Sequence, residues 1–199
     1  MKDKGKYQPL SYFQLMEITL RELLTEKGVL TEERITQEVE TMRSRGYERG
    51  SRVVAHAWVD PAFKARLLQN GTQAVEELGL EIPALKLLVV ENTREVHNAI
   101  VCTLCSCYPR VLLGLPPDWY KSRNYRSRMV REPRAVLKEF GLKIPEKVQI
   151  RIHDSSADMR YMVLPMRPAG TDGWGEEKLA GLVNRDCLLG VAVPKGPND

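Results

Sequence analysis

Three of the four cysteines in this 199-residue chain lie within six residues, in the segment VCTLCSC that ends at Cys107. Only Ser106 separates Cys105 from Cys107. Any fold of the chain must hold three thiols together in one short loop, and this constrains the structure more than any other feature. Nothing in the sequence indicates secretion, so a disulfide framework is not expected.

The composition is that of an ordinary globular protein, with 43% hydrophobic and 28% charged residues. The length is sufficient for one domain with a substantial core. We expect a cytoplasmic location, since the sequence shows neither a long apolar run for a membrane span nor a signal peptide at its start. The first ten residues, MKDKGKYQPL, are charged and are expected to fray.

Basic residues are concentrated between Tyr108 and Arg134, a segment with seven basic and two acidic side chains. A basic strip can bind nucleic acid, but no recognition motif accompanies this one, so no nucleic-acid partner is expected. A charged helix face that pairs with carboxylates, within the chain or on a partner subunit, is the simpler interpretation.

The first 80 residues predict helices. Asp60 as N-cap and Pro61 at the first helical position are a strong start for one of them. GSRVVAHAWVD is interpreted as a short helix or a transition. The other helical segments are SYFQLMEITLRELLTEKG, LTEERITQEVETMRSRG and residues 72–78.

The pattern changes near Ile82, where strands begin. The predicted extended segments are LKLLVVEN, HNAIV, VQIRIHD, RYMVLP and a last strand in DCLLGVAVP. Between them, NYRSRMVREPRAVLKEFG predicts two helices broken at Pro133, and EEKLAGLVNR predicts a short helix. The fold class is therefore α+β. A helical N-terminal arm in residues 1–80 precedes a mixed α/β metal-binding domain with a small sheet in residues 81–199.

Several kinds of site contain clustered cysteines, and most fit this one poorly. A redox Cys-x-x-Cys pair leaves the third thiol unexplained. A structural zinc ion needs a fourth ligand, for which Cys187 or His97 would be the candidates, and the usual two-pair spacing is absent. Iron–sulfur clusters generally require four cysteines in a recognised arrangement. If the cysteines bind a metal ion, the alternative to a catalytic site is a non-catalytic metal-carrying protein.

The Cys-Ser-Cys spacing suits one metal ion bound in a plane. Along the chain, the backbone nitrogens of Ser106 and Cys107 lie between the sulfurs of Cys105 and Cys107. If both amides lose their protons, two sulfurs and two nitrogens can bind one ion through adjacent five- and six-membered rings. Cys102 can then reach an axial position, which leaves the sixth position open. Such a site requires a strongly Lewis-acidic trivalent transition metal, Co(III) or Fe(III).

VCTLCSC resembles the metal-binding motif of the nitrile hydratase α subunit and the related thiocyanate hydrolase γ subunit. The resemblance extends from about Val53 to Pro194, and the helices before it resemble the family's N-terminal arm. The neighbouring segments that carry it are ENTREVHN, GLPPDWYKS, NYRSRMVREPRAVLKEFG, RYMVLPMRPAGTDGW and DCLLGVAVP.

The resemblance implies a role for each residue of the motif. Cys102 is the axial thiolate ligand, while Cys105 is oxidised to the sulfinate and Cys107 to the sulfenate. Ser106 and Cys107 contribute backbone nitrogens, and both are the candidate catalytic residues. Thr103 stands where cobalt members of the family have threonine and iron members have serine, so non-corrin Co(III) is expected rather than Fe(III).

The resemblance also implies an activity and partners. The expected enzyme hydrates nitriles to amides, with the sulfenate oxygen of Cys107 acting either as nucleophile or as base towards water. A β-type subunit completes a heterodimer or higher heteromer, and a small activator protein inserts the cobalt. The alternative is a thiocyanate hydrolase γ subunit, which converts thiocyanate to carbonyl sulfide and ammonia.

Arg110 favours that alternative. Nitrile hydratase α subunits usually have tryptophan three residues beyond the last cysteine, and the γ subunit resembles this sequence there. An arginine near the metal suits an anionic or polar substrate. ENTREVHN and GLPPDWYKS look more like nitrile hydratase, and an ion pair between Arg110 and a partner carboxylate is the remaining interpretation.

Overall fold

The computed structural model describes residues 9–82 and 85–197. Residues 1–8, most of the N-terminus that is expected to fray, lie outside this part of the chain. Packing divides the chain into two units, residues 1–42 and 43–199. The predicted division at residue 80 stays a prediction. No helix in the described residues is both long and apolar enough to cross a membrane.

The smaller unit contains helix α1 (Tyr12–Glu26) and most of α2 (Glu32–Ser44). Ser11 and Gln14 form a reciprocal capping box that starts α1. No residue of α1 is buried, although its spacing places an apolar stripe on one face of the helix. That stripe consists of Tyr12, Phe13, Met16, Leu20, Leu23 and Leu24.

The larger unit begins with three helices: α3 (Glu48–Val59), α4 (Pro61–Gln69) and α5 (Gly71–Glu76). The side chain of Asp60 accepts hydrogen bonds from the backbone amides of Ala62 and Phe63, so the predicted start of α4 is confirmed. The segment interpreted as a short helix or a transition forms all of α3 except its first two residues, and it includes buried Val53 and Val54.

Four strands follow the predicted positions: β1 (Lys86–Glu91), β2 (Val96–Val101), β3 (Gln149–Asp154) and β4 (Met159–Leu164). They form two two-stranded sheets rather than one, with β1 parallel to β4 and β2 parallel to β3. The buried strand β2 and the apolar end of β4 contribute to the core.

Short helices connect and follow the strands. They are α6 (Arg110–Leu113), α7 (Asp118–Lys121), α8 (Arg123–Arg131), α9 (Pro133–Glu139), α10 (Glu176–Ala180) and α11 (Arg185–Leu189). The predicted break at Pro133 is confirmed, since α8 ends before it and α9 begins at it. Arg128 pairs with Glu132 and Glu139, so part of the basic strip is neutralised within the chain.

The predicted last strand in DCLLGVAVP is wrong, because this segment begins as α11 and continues without a strand. The side chain of Asn184 caps the helix by accepting a hydrogen bond from the amide of Cys187. Gly190 ends it in a left-handed conformation with φ 78°. A short apolar run predicts a buried strand and a buried helix equally well, and capping residues decide between them.

Gly190 also permits a close approach to β2. A Cβ atom at this position would lie 2.0 Å from the backbone oxygen of Asn98 and 2.8 Å from the Cα of Ala99. Gly190→Ala should therefore lower the free energy of unfolding by about 2 kcal/mol or more, through backbone strain and displacement of β2. Urea denaturation followed by circular dichroism measures this change.

Gly79→Ala is the matched control. Gly79 has a similar φ of +72°, but a Cβ atom at this position would have nothing within 4 Å. This variant should show only the strain, on the order of 1 kcal/mol. Equal losses in the two variants would contradict the role of close packing against β2.

Candidate metal centre

The three clustered cysteines lie in the loop that follows β2. Cys102 comes directly after Val101, the last residue of that strand, and is fully buried. Cys105 is exposed, and Cys107 is partly buried. The strand thus fixes one thiol inside the protein, while the loop returns two more thiols towards it from the surface.

The sulfur atoms form one compact group. Cys105 Sγ lies 3.6 Å from Cys102 Sγ and 3.2 Å from Cys107 Sγ. All three sulfurs lie within 4.8 Å of one another, a spacing that could hold a single metal ion. The structure thus brings the three cysteine side chains together, while their role as metal ligands stays a prediction.

Backbone amides in the loop point towards the same group. The amide of Cys105 donates to Cys102 Sγ across 3.3 Å. The pKa of Cys105 is lowered, first by the hydrogen bond from Cys107 and next by the backbone amide of Ser106, with the amide of Cys107 contributing less. The backbone amides of Ser106 and Cys107, whose nitrogens belong to the predicted planar set, thus stabilise the thiolate of Cys105.

The thiols do not ionise equally. Burial raises the pKa of Cys107 to about 12, and its proximity to Cys105 adds to the effect. Negative charge on one sulfur disfavours charge on the next when both lie so close together. Three thiolates at this spacing require a multivalent cation, and the soft donor set fits a transition metal. The residues present therefore fit the expected metal ion.

Asp154 fixes the start of the cysteine loop. Its carboxylate accepts a hydrogen bond of 2.9 Å from the amide of Thr103 and one of 2.5 Å from the Thr103 hydroxyl. Asp154 ends β3, and it is paired in register with Val101 at the end of β2. The parallel pairing of the two strands thus places the carboxylate of Asp154 beside Thr103.

Two side chains from the following helices hold the rest of the loop. Tyr120 donates from its hydroxyl to the backbone oxygen of Cys107 across 2.9 Å. Arg126 Nη1 donates to the backbone oxygen of Thr103 across 3.2 Å. Neither these two residues nor Asp154 were predicted from the sequence. Only the position of Asp154 at the end of a strand offered a signal, and that signal depends on knowing that β2 pairs with β3.

The candidate fourth zinc ligands are not part of the cluster. In the described residues, the group close enough to share an ion contains the three cysteines alone. Cys187 is buried in α11. His97 Nε2 lies 2.8 Å from the backbone oxygen of Gly190, so this imidazole already has a partner.

Arg110 is exposed at the first residue of α6. No hydrogen bond or ion pair joins its guanidinium to another group in residues 9–82 and 85–197. The predicted role of Arg110 towards substrate stays a prediction.

The fold and the three-sulfur cluster are those of an α+β metal-binding protein. Residues 11–192 match the family model described as nitrile hydratase, alpha chain. The chain belongs to the nitrile hydratase α-chain family. The family expected from VCTLCSC is thereby confirmed.

Individual relatives agree with this assignment. The chain is 51% identical over 179 residues to the cobalt-containing nitrile hydratase subunit alpha of Pseudonocardia thermophila, with 88% of each chain covered. It is 44% identical over 200 residues to the thiocyanate hydrolase subunit gamma of Thiobacillus thioparus, with 94% of this chain and 82% of the relative covered. These relatives are subunits of enzymes.

Solved structures share the fold. A double mutant of the Fe-type nitrile hydratase from Comamonas testosteroni Ni1 superposes with a TM-score of 0.89 at 44% identity, covering 96% of this chain and 94% of that chain. A recombinant thiocyanate hydrolase with partially modified cobalt centres gives 0.87 at 43% identity, covering 95% and 93%. The predicted α+β class is therefore confirmed.

Asp154→Asn tests the carboxylate that holds the loop. An amide nitrogen cannot accept a hydrogen bond, so one of the two contacts to Thr103 should be lost. We expect cobalt affinity or activity of the assembled enzyme to fall by about 10- to 100-fold, the usual effect of losing a group that orients metal ligands. Metal analysis and steady-state kinetics measure the change.

The control is Asp158→Asn, which removes the same charge from an exposed side chain in the turn between β3 and β4. It should leave both quantities near the wild-type values. Parallel losses in the two variants would attribute the effect to overall charge and contradict the positioning role of Asp154.

Proposed function

We propose that this chain is the α subunit of a cobalt nitrile hydratase, which hydrates nitriles to amides. The gathering of three sulfurs within 4.8 Å at the end of β2 is the observation that carries the proposal. Three relatives that are 51% identical to the chain are nitrile hydratase α subunits, and two of these are named as cobalt-containing. The thiocyanate hydrolase γ subunit is 44% identical.

The proposed ligands are the sulfurs of Cys102, Cys105 and Cys107 and the backbone nitrogens of Ser106 and Cys107. Support comes from the positions of these atoms. The sulfurs are in mutual contact, and the amides of Ser106 and Cys107 both act on Cys105. Binding of the ion offsets the burial, and next the proximity of the other thiols, that otherwise keep the thiol of Cys107 protonated.

The proposed modifications are a sulfinate at Cys105 and a sulfenate at Cys107. An external oxidant such as dioxygen supplies two oxygen atoms to the first sulfur and one to the second. Cys105 is the exposed thiol, and its pKa is lowered by the contact with Cys107 and by backbone amides, so it is suited to the deeper oxidation.

The proposed metal is non-corrin Co(III), with Fe(III) as the less favoured choice. Thr103, the residue associated with cobalt in the family, is held by both oxygens of Asp154. The cobalt-containing relatives support the choice. A trivalent ion is also what bound, deprotonated backbone amides require.

When bound, the cobalt ion supplies a Lewis acid for the carbon–nitrogen triple bond. The chain holds the loop in place through Asp154 and Tyr120, so the oxygen of the Cys107 sulfenate has a fixed position. That oxygen acts either as the nucleophile or as the base that takes a proton from water. Ser106, between the two oxidised cysteines, orients them through its hydroxyl.

The site requires a partner, proposed to be a β-type subunit. Sulfinate and sulfenate carry negative charge at the surface, and arginines of a partner can stabilise them with charge-assisted hydrogen bonds. Leu104 beside the cluster is 84% exposed, and Phe13 on α1 is 78% exposed, as expected of surfaces that a partner covers. A small cobalt-inserting activator protein is the second proposed partner.

Thiocyanate hydrolase remains the second candidate function because of Arg110. This guanidinium is exposed three residues beyond Cys107, and no carboxylate of the described residues neutralises it. In the assembled enzyme it faces either a partner carboxylate or the polar end of the substrate. Only the second arrangement favours thiocyanate or a polar nitrile.

Mass spectrometry of the cysteine peptide, combined with metal analysis, tests the metal centre. The purified heteromer should contain one tightly held cobalt ion for each copy of this chain. The cysteine peptide should contain two additional oxygen atoms at Cys105 and one at Cys107. Exchangeable zinc on unmodified thiols would contradict the proposal and favour a metal-carrying protein.

A matched pair of variants tests the ligand assignment. Cys105→Ala removes a sulfur donor and should abolish cobalt retention. Ser106→Ala keeps the backbone nitrogen, so cobalt should be retained, while the activity should fall because the hydroxyl no longer orients the oxidised sulfurs. Full metal content and activity in Cys105→Ala would disprove the planar ligand set.

Arg110→Trp tests the substrate. If the guanidinium contacts substrate, this exchange should shift preference from thiocyanate or polar nitriles towards apolar nitriles, by about 1–3 kcal/mol in relative transition-state binding. The measurement is kcat/KM for thiocyanate, a small nitrile and an aromatic nitrile in both enzymes. Unchanged ratios would place Arg110 outside the pocket and remove the case for thiocyanate.

A further inference from the structure

A concave surface lies at the opposite end of β2 and β3 from the cysteine loop. Its volume is about 630 Å³, and it is bounded by loops before β2 and β3, the loop after β4, and the segment that follows α11. β2 begins beside this surface, whereas the cysteine loop follows the last residue of β2. The surface is therefore separate from the metal centre, and the proposed chemistry does not use it.

The floor of this surface is apolar and its rim is basic, so we call it the basic-rimmed groove. The cations are Arg94, Lys143 and Lys147, and the apolar side chains used below are Met166 and Val193. Among the described residues that line the groove none is acidic. Ile144, Pro145 and Pro194 complete the apolar part.

Arg94, Lys143 and Lys147 have no partners among the described residues. In residues 9–82 and 85–197, no hydrogen bond or ion pair involves the side chain of Arg94, Lys143 or Lys147. Arg167, the fourth basic residue of the groove, differs because its guanidinium donates to the backbone oxygens of Trp58 and Thr171. The groove therefore presents unneutralised positive charge around apolar surface.

Apolar area also extends beyond the groove itself. Met166 is 48% exposed and Val193 is 44% exposed, although both line the groove. A small molecule confined to the floor would leave these side chains partly in water. A polypeptide segment crossing the groove would cover the floor and the rim together, and its carboxylates would complement the three cations.

We infer that the basic-rimmed groove receives an acidic segment of the partner subunit, with an apolar side chain in the floor and carboxylates beside Arg94, Lys143 and Lys147. This inference rests on the proposed function, because that function requires the partner subunit. This contact is a second anchor, at the opposite end of β2 from the metal centre.

The test uses purified chain and its β-type partner, with the dissociation constant measured at low and at physiological salt. Lys143→Glu combined with Lys147→Glu replaces two cations of the rim by anions. We expect the dissociation constant at low salt to rise by about tenfold or more, and the salt dependence of binding to become weaker. Circular dichroism verifies that the variant remains folded.

Lys86→Glu is the matched control, since Lys86 is an exposed, unpaired lysine at the other end of β1 from the groove. It should change the dissociation constant by no more than about twofold. Val193→Asp provides an independent variant, because it places a carboxylate among the cations and should also weaken binding. A wild-type chain that binds its partner, with both groove variants binding equally well, would overturn the inference.

Acetylation of lysines in the wild-type protein gives a second readout. Lys143 and Lys147 should react in the free chain and be protected in the assembled enzyme. Unchanged reactivity on assembly would overturn the inference while leaving the proposed function intact. Decanoate, an anion with an apolar tail, is the small-molecule probe. If decanoate protects the two lysines and the partner does not, the groove is a small-anion site and the inference is wrong. If the chain binds no partner at all, the proposed function itself is contradicted.

Discussion

The parallel pairing of β2 with β3 is the interaction on which the candidate metal centre depends. Val101 is in register with Asp154, and the amide of Ser155 donates to the backbone oxygen of Val101 across 2.8 Å. Because both strands end at the same edge, the loop that carries the cysteines leaves β2 beside a carboxylate that can hold it. Without this register, Thr103 loses both of its hydrogen bonds to Asp154, and the loop has no fixed starting point.

The loop also concentrates charge in a way that the chain alone does not balance. Hydrogen bonds from Cys107 and from backbone amides lower the pKa of Cys105, whereas burial, and next the neighbouring thiols, raise the pKa of Cys107 to about 12. Sulfurs this close repel one another when ionised, so all three become thiolates only with a cation beside them. In the proposed function, a trivalent ion offsets this repulsion, and oxidation of Cys105 and Cys107 leaves negative charge for a partner to stabilise. On that proposal fold, metal and partner are required in succession, each stabilising the charge that the previous step leaves.

Much of this arrangement could be predicted from local sequence. The strands β1 to β4 and the break at Pro133 follow from alternation and from the chemistry of proline, and VCTLCSC is specific enough to define the family. The helix α11 could not be predicted, because the apolar residues Cys187, Leu188 and Leu189 are equally compatible with a strand. The cap at Asn184 distinguishes the two, but it is not part of the hydrophobic pattern from which the strand was predicted. The role of Asp154 was also out of reach, since it depends on strand pairing across about 50 residues.

The exposed surfaces indicate that the fold is only part of a functional protein. Helix α1 buries none of its residues, yet an isolated helix of this length is marginally stable in water. A stripe containing Tyr12, Phe13 and Met16 gains stability only when another surface covers it. The same holds for the exposed Leu104 beside the sulfurs, because closing the site against water strengthens every electrostatic contact within it. A partner that covered both surfaces would therefore stabilise helix α1 and complete the chemical environment of the metal centre through the same physical effect, the removal of water from apolar and charged surface.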